Sequence, residues 1–394
     1  MSTCPYCYSA IPGGEITVRC TGQCQPVPDP QGTALAGYET RTTPFYRIVQ
    51  NEDEPVRTTV PCRRCGQPCQ QRICNVCHRD LPPGWEDARV FTMTLVGARG
   101  SGKSVYIAVA VDLLRRYAQS RGCTMTPTTT GTYEVYSQRY YKPLFKENVV
   151  MEGTPPIAGG GAYQQDPLIW EFRGNDIERF YIVMRDVAGE DIEKVVGKPL
   201  HFSFMDRADL VVFLFDPLML DSVRQVLAGI IPEIDRNRLG DMPGEVLPKV
   251  LLQLSSGSAR LALTISKFDS LHKMTDADSA LTPLLANPAA HFNRDDTMLR
   301  ARQDIDSAMT AFENDVVFLD AEVRSLFNRI GDDSVTLSAD SAQQNGALAE
   351  VRHFAVSAVG ESPQHADQLT ERGISPFRVL DPILWGLHRV GLRF

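Results

Sequence analysis

Nine of the ten cysteines in this 394-residue chain fall within the first 77 residues, most of them in CxxC pairs, and this crowding restricts the fold more than any other feature. Residues 1 to about 88 are otherwise rich in Pro, Gly and Thr and poor in apolar runs, so they cannot bury a core large enough to hold them together. The opening stretch MSTCPYCYSA has neither a charged n-region nor an apolar h-region, so no signal peptide is expected. In a reducing cytoplasm, where the chain is placed on this ground, paired cysteines are expected to be metal ligands rather than disulfides.

Two residues between paired cysteines allow a tight knuckle that turns both sulfurs onto one ion. Read in chain order, Cys4, Cys7, Cys20 and Cys24 form one set of four thiolates, and Cys62, Cys65, Cys74 and Cys77 form another. Four protein ligands leave no open position, so both zinc sites read as structural. Such a site contributes on the order of 10–16 kcal/mol of apparent binding energy. Cys69 is left over and reads as a spare ligand. The CxxCH pattern of Cys74 to His78 also fits haem attachment, but the Cys62/Cys65 pair completes a zinc set instead. With Arg63, Arg64, Arg72 and Arg79 interleaved, the region is expected to dock a protein rather than read nucleic acid.

Composition supports that preference. The 48 acidic residues exceed the 40 basic ones, for a net charge of −8, which gives no long-range attraction to nucleic acid or anionic membrane. No stretch approaches the roughly 18 apolar residues of a membrane helix. From Val90 onward, short apolar runs alternate with helical patterns: Val90 to Val96, Leu168 to Phe172, Phe180 to Met184, Leu210 to Phe215, Leu261 to Ser266 and His353 to Ser357. The alternation predicts an α/β domain over 89–394 with a mixed, mostly parallel sheet, following a zinc-ribbon region over 1–88. The second and third runs, joined around Gly174 and Asn175, predict a hairpin. Insertions are expected at about 122–165, helical from Tyr133 to Val150, and at about 270–350, helical from Asp296 to Ile330. The polar stretch Asp332 to Gly346 reads as a mobile loop. The amphipathic end, Arg378 to Phe394, reads as a final helix packed on the sheet, with a membrane surface as the alternative for its basic face.

Between a predicted strand and a predicted helix, Gly97-Ala98-Arg99-Gly100-Ser101-Gly102-Lys103-Ser104 matches the P-loop pattern GxxxxGK(S/T), with Val105 continuing into the helix. Backbone N–H groups of such a loop can surround phosphates, Lys103 can reach the β and γ oxygens, and Ser104 can hold Mg2+. Asp186-Val-Ala-Gly189 follows the strand Phe180 to Met184 as a DxxG segment, with Asp186 near magnesium and the Gly189 N–H near a γ-phosphate. Ser266-Lys267-Phe268-Asp269 takes the place of an NKxD segment, whose carboxylate can accept from guanine N1 and N2 together. Ser357-Ala358 resembles the SAK segment that meets guanine O6.

With these motifs in this order, the chain resembles a TRAFAC-class, Ras-like small GTPase domain, and more narrowly bacterial GTPases with N-terminal zinc ribbons that serve conflict or signalling systems. The resemblance implies a P-loop NTPase fold, GTP or GDP with Mg2+ as ligand, and slow or partner-activated hydrolysis in a molecular switch. It gives catalytic roles to Lys103, Gly189, Glu190 and Arg99. Glu190 stands where the family has a water-orienting Gln, and Arg99 where it commonly has Gly; that arginine would either block the water and a partner's arginine finger or itself stabilise charge. Thr154 is the expected switch residue on Mg2+, with Thr128, Thr129 and Thr130 as rivals. The alternatives are a non-hydrolysing GTP-binding scaffold and a nucleotide-gated nucleic-acid regulator.

Overall fold

The computed structural model describes residues 2–393 except 51–57, 150, 152–155, 157–165, 176, 233–238, 278, 332 and 362–372. Seven strands form the main sheet: β1 (Arg89–Val96), β2 (Cys123–Pro127), β3 (Leu168–Gly174), β4 (Phe180–Asp186), β5 (Leu210–Phe215), β6 (Arg260–Ile265) and β7 (Glu350–Ala355). They lie in the order β2-β3-β4-β1-β5-β6-β7. β2 and β4 both run antiparallel to β3, while β4, β1, β5, β6 and β7 are mutually parallel. Every residue of β5 is buried, as expected of a central strand covered on both faces.

The helices that matter for the site and the core are α1 (Lys103–Ser120), α2 (Gly189–Glu193), α3 (Pro243–Gln253), α4 (Ile305–Ile330), α5 (Asp333–Gln344) and α6 (Asp381–Arg389). The expected hairpin is present as β3 and β4, paired Leu168 to Met184 through Phe172 to Phe180. The terminal helix packs on the sheet: Ile383, Leu384, Trp385 and Leu387 of α6 are buried, and the helix lies against β5 and β6. Its apolar face is therefore not offered to a membrane, and no helix among the described residues is long and apolar enough to cross one. A Cβ at Gly386 would stand 2.8 Å from Phe91 Cζ and 3.0 Å from Leu210 Cδ2. Gly386→Ala is expected to lose about 1 kcal/mol net in a denaturant titration, because overpacking costs more than the roughly 1 kcal/mol of helix propensity gained. A stabilised variant would show that the helix is not packed there.

Three local expectations are corrected. Asp332 to Gly346 does not form a loop: α5 fills most of it, burying Val335, Ala339 and Ala342 at helical spacing. Small side chains hide that face from a hydrophobicity reading, yet they suit close packing on α3 and α4. The helical part of the first insertion runs over 130–145 rather than 133–150. Thr129 starts it early by accepting the Thr132 N–H at 3.0 Å, and a π turn over Tyr136–Tyr141 interrupts it. Finally, the Thr-rich start of that insertion is the edge strand β2, whose threonines and proline concealed its pairing with β3.

The cysteine-rich part holds a small antiparallel sheet in the order Phe45–Val49, Glu15–Cys20, Pro68–Ile73, Val60–Pro61. Its own core is five residues, Val18, Cys20, Ile48, Cys62 and Cys69. By contrast, Cys4, Cys7, Tyr8, Cys74, Cys77 and Trp85 belong to the same continuous core as the main sheet.

Candidate metal centres and glycine-rich loop

Each CxxC pair closes a knuckle in the same way. The amide two residues past the first cysteine donates to its sulfur: Tyr6 to Cys4 at 3.4 Å, Arg64 to Cys62 at 3.4 Å and Val76 to Cys74 at 3.4 Å. Gly22 does the same to Cys20 at 3.3 Å in the longer Cys20/Cys24 turn. The chain leaves three of these knuckles through a left-handed residue, Tyr8, Gly66 or His78.

The knuckles combine differently from the chain-order expectation. One cluster is Cys4, Cys7, Cys74 and Cys77, and the other is Cys20, Cys24, Cys62 and Cys65. The cause is the strand pairing. Glu15–Cys20 runs antiparallel to Pro68–Ile73, with Thr17 opposite Ile73 and Cys20 opposite Cys69, so one end of the pair gathers the outer knuckles and the other end the inner ones. Sulfur separations of 3.7 Å for Cys4–Cys77 and Cys7–Cys74, and of 3.5 and 3.6 Å for Cys20–Cys65 and Cys24–Cys62, match the edge of about 3.8 Å set by a tetrahedral ion with bonds near 2.3 Å. Two metal ions could be held.

Cys69 is in neither set. It is fully buried in the small core and outside both four-sulfur groups, so it packs as a core side chain rather than as a spare ligand, and burial beside Cys20 and Cys62 pushes its thiol up. His78 takes no part in a haem-type arrangement. Its Nδ1 lies 2.9 Å from the buried Asp29 carboxylate, and the Phe45 ring is tilted against it at 4.4 Å.

The first cluster is tied to the main sheet by polar contacts as well. Tyr8 donates to the Met93 carbonyl at 3.1 Å, and Trp85 Nε1 to the Thr3 carbonyl at 2.8 Å. Arg185 donates to the Tyr6 carbonyl at 2.7 Å, with its guanidinium 3.8 Å above the Phe204 ring. Arg79, expected on a docking face, is instead largely used inward, stacking over Tyr6 and donating to Tyr38 at 2.7 Å.

At the C-terminal end of β1, residues 97–102 form the turn into α1. Gly97, Gly100 and Gly102 all have positive φ, and a Cβ at Gly97 would stand 2.7 Å from the Leu214 carbonyl. Lys103 folds back to donate to the carbonyls of Gly97 and Ala98, each at 2.9 Å. Burial pulls its ammonium below the ordinary lysine value, opposed by the charges of Asp186 and Glu193. Ser104 and Tyr140 both reach Asp186 Oδ2, at 3.4 Å each. Val105 is half-buried in the first turn of α1.

The other predicted segments converge on this end of the sheet. Ser266 donates to the Ser101 carbonyl at 3.0 Å and to the Phe215 carbonyl at 3.1 Å. Lys267, at positive φ, pairs with the fully buried Asp216 at 2.6 Å. Ser357 donates to Asp269 at 2.5 Å, with half-buried Ala358 beside it. Thr154 lies outside the described residues. Of its rivals, Thr129 caps a helix, and the Thr128 N–H donates to the Ile169 carbonyl at 2.9 Å.

Around Arg99 the geometry departs from the expected one. Gly189 packs so tightly on the loop that a Cβ would meet the Arg99 nitrogen at 2.4 Å. Glu190 faces the Arg99 guanidinium at 3.7 Å and Lys194 at 3.7 Å. The Arg99 guanidinium also donates to the Leu239 carbonyl at 3.1 Å. Its backbone N–H donates to the Glu193 carboxylate at 2.7 Å. Sequence reading missed Glu193, Tyr140, Asp216 and Gly240. Only Asp216, directly after a predicted strand, carried a local signal.

No protein-family model matches the chain. A protein of Mycolicibacterium smegmatis, named as the ESX-1 scaffolding and assembly protein SaeC, is 33% identical over 390 residues, covering 98% of each chain. That likeness corrects the reading of this chain as a Ras-like GTPase of conflict or signalling systems, and with it the GTP-hydrolysing switch, the enzyme assignment and the associated GTP-binding and P-loop descriptors, because a relative matched end to end is named for scaffolding. The local geometry offers a physical reason. Glu190, expected to orient an attacking water, is engaged by two cations, Arg99 and Lys194.

Proposed function

Because the chain belongs to the family of the ESX-1 scaffolding and assembly protein SaeC, we propose that it is a scaffold that brings other proteins together and turns over no substrate. The observation that carries this reading is end-to-end similarity: the likeness spans the cysteine knuckles, the glycine-rich loop and the terminal helix alike. Residues 1–88 serve as a metal-held module with two zinc ions, and residues 89–394 as the α/β body to which the first cluster is fastened. The docking face for protein partners is the far cluster, where Arg63 and Arg64 are exposed on the Cys62/Cys65 knuckle. Thiolate clusters of this kind suit the reducing cytoplasm.

The glycine-rich turn from β1 into α1, with Gly97, Gly100 and Gly102 at positive φ, supports a phosphate-holding loop in this body. On this reading residues 97–105 hold the phosphates of a nucleoside phosphate, Ser104 and Asp186 a Mg2+ ion, and Ser266, Lys267, Asp269, Ser357 and Ala358 the base end. The ligand is bound and not consumed, as a structural element of the scaffold.

The test is replacement. Expressed in M. smegmatis lacking SaeC, the chain is expected to restore assembly and to co-purify with the proteins that co-purify with SaeC, and Arg63→Glu/Arg64→Glu to lose them while keeping both metal ions. Failure of the folded chain to restore assembly, together with sustained phosphate release from nucleoside triphosphates, would overturn the scaffold reading.

A further inference from the structure

Backbone N–H groups in a glycine-rich turn before a helix are anion-binding groups. Here one of them already has an anion from the chain itself. Glu193, at the end of α2, accepts the Arg99 N–H at 2.7 Å and the Asp241 N–H at 3.3 Å. Gly240 closes over the contact: its N–H donates to the Arg99 carbonyl at 3.2 Å, and a Cβ on it would stand 2.0 Å from Glu193 Oε1. Lys249 of α3 holds the arrangement from behind, donating to the Glu193 carbonyl and to Asp241 at 3.2 Å. The Glu193 charge also reaches Lys103.

We propose that Glu193 is a built-in competitor for the outermost phosphate of a ligand at the loop and so determines which phosphate chain the loop accepts, diphosphate over triphosphate. The inference rests on the reading that residues 97–105 take phosphates. Amides at the start of α1 face the phosphates nearest the helix. The Arg99 amide lies at the other end of the loop, against Gly189, where a third phosphate would arrive. A fixed carboxylate there repels that phosphate and has already used its donor, and like charges in close contact are strongly unfavourable. A diphosphate avoids the clash. A triphosphate must first displace Glu193 along with the strap at 239–241.

The experiment uses the full-length, metal-loaded chain and the probes pyrophosphate, tripolyphosphate, GDP, GTP, ADP and ATP in calorimetric titrations, with hydrogen exchange of residues 97–103 followed on the same proteins. Glu193→Gln keeps an acceptor and removes the charge. It is expected to raise the ratio of triphosphate to diphosphate affinity by about tenfold or more. Lys249→Met, which frees the Glu193 backbone carbonyl and Asp241 and so loosens the support behind Glu193 without touching the loop, should shift the ratio in the same direction by less, and guards against a folding artefact. If diphosphates and triphosphates bind with an unchanged ratio in both variants, the inference fails while the phosphate reading stands. If no probe binds either the parent or the variants, the phosphate reading fails and the competition with it. Unchanged loop protection in Glu193→Ala, which removes the acceptor altogether, would overturn the proposed contact whatever the ligands do.

Discussion

Replacing Cys4 and Cys74 together with serine is expected to leave the protein with one tightly bound metal ion, whereas replacing Cys4 and Cys20 together leaves none. The first pair lies in a single cluster and the second in two different clusters. Chain-order pairing makes the opposite forecast, so metal content by mass spectrometry separates the two arrangements cleanly. The energetic consequences also differ between sites. A structural ion is worth on the order of 10–16 kcal/mol, comparable with the 5–15 kcal/mol stability of a whole domain. The cluster of Cys4, Cys7, Cys74 and Cys77 sits within the main core beside Tyr8 and Trp85, so its loss should lower the melting temperature of the entire chain. The cluster of Cys20, Cys24, Cys62 and Cys65 borders only a five-residue core. Its loss, in Cys20→Ser/Cys62→Ser, should open residues around it to proteolysis while the transition of the α/β body stays in place. Equal global loss from both double variants would show that the second cluster also supports the main core.

Arg378→Met is expected to cost about 3–5 kcal/mol, measured as a lower denaturant midpoint, because it leaves the carboxylates of Asp315 and Asp381 with only the more distant Arg300 guanidinium to balance them. Arg378 is 1% exposed and Asp381 is fully buried. The guanidinium donates to Asp381, to Asp315 at 3.0 Å and to the His291 carbonyl at 2.7 Å, and the Arg378 N–H donates to Asp295 at 2.6 Å. This network fastens the second insertion to the start of α6, and Thr297 completes it by donating to Asp381 at 3.1 Å. Adding Asp381→Leu to Arg378→Met should recover part of the loss, since the penalty belongs to the under-compensated charge rather than to the missing contact. A double variant as unstable as the sum of the singles would assign the cost to packing instead.

Much of the body was legible because its information is local. Strands such as Leu210–Phe215 are continuous apolar runs, and the segments at Gly97, Asp186, Ser266 and Ser357 each follow a strand, so parallel pairing delivers them to one end of the sheet. What those segments do was less legible. A motif specifies which groups are present, while the partners those groups already have come from elsewhere in the chain. Glu193 meets Arg99 across 94 residues, and Tyr140 meets Asp186 across 46. The likeness to a scaffolding protein, rather than the motifs, corrected the functional reading.

By itself the sequence determined the four cysteine knuckles, the parallel core strands and the glycine-rich turn, because each depends on spacing of two to eight residues and on the conformational freedom of glycine. Only the tertiary structure decided which knuckles share an ion, that Cys69 is core rather than ligand, that α5 is a helix, and that a carboxylate of the chain occupies the loop. Those outcomes depend on strand register and on side chains brought together over tens of residues, and no local pattern carries that information.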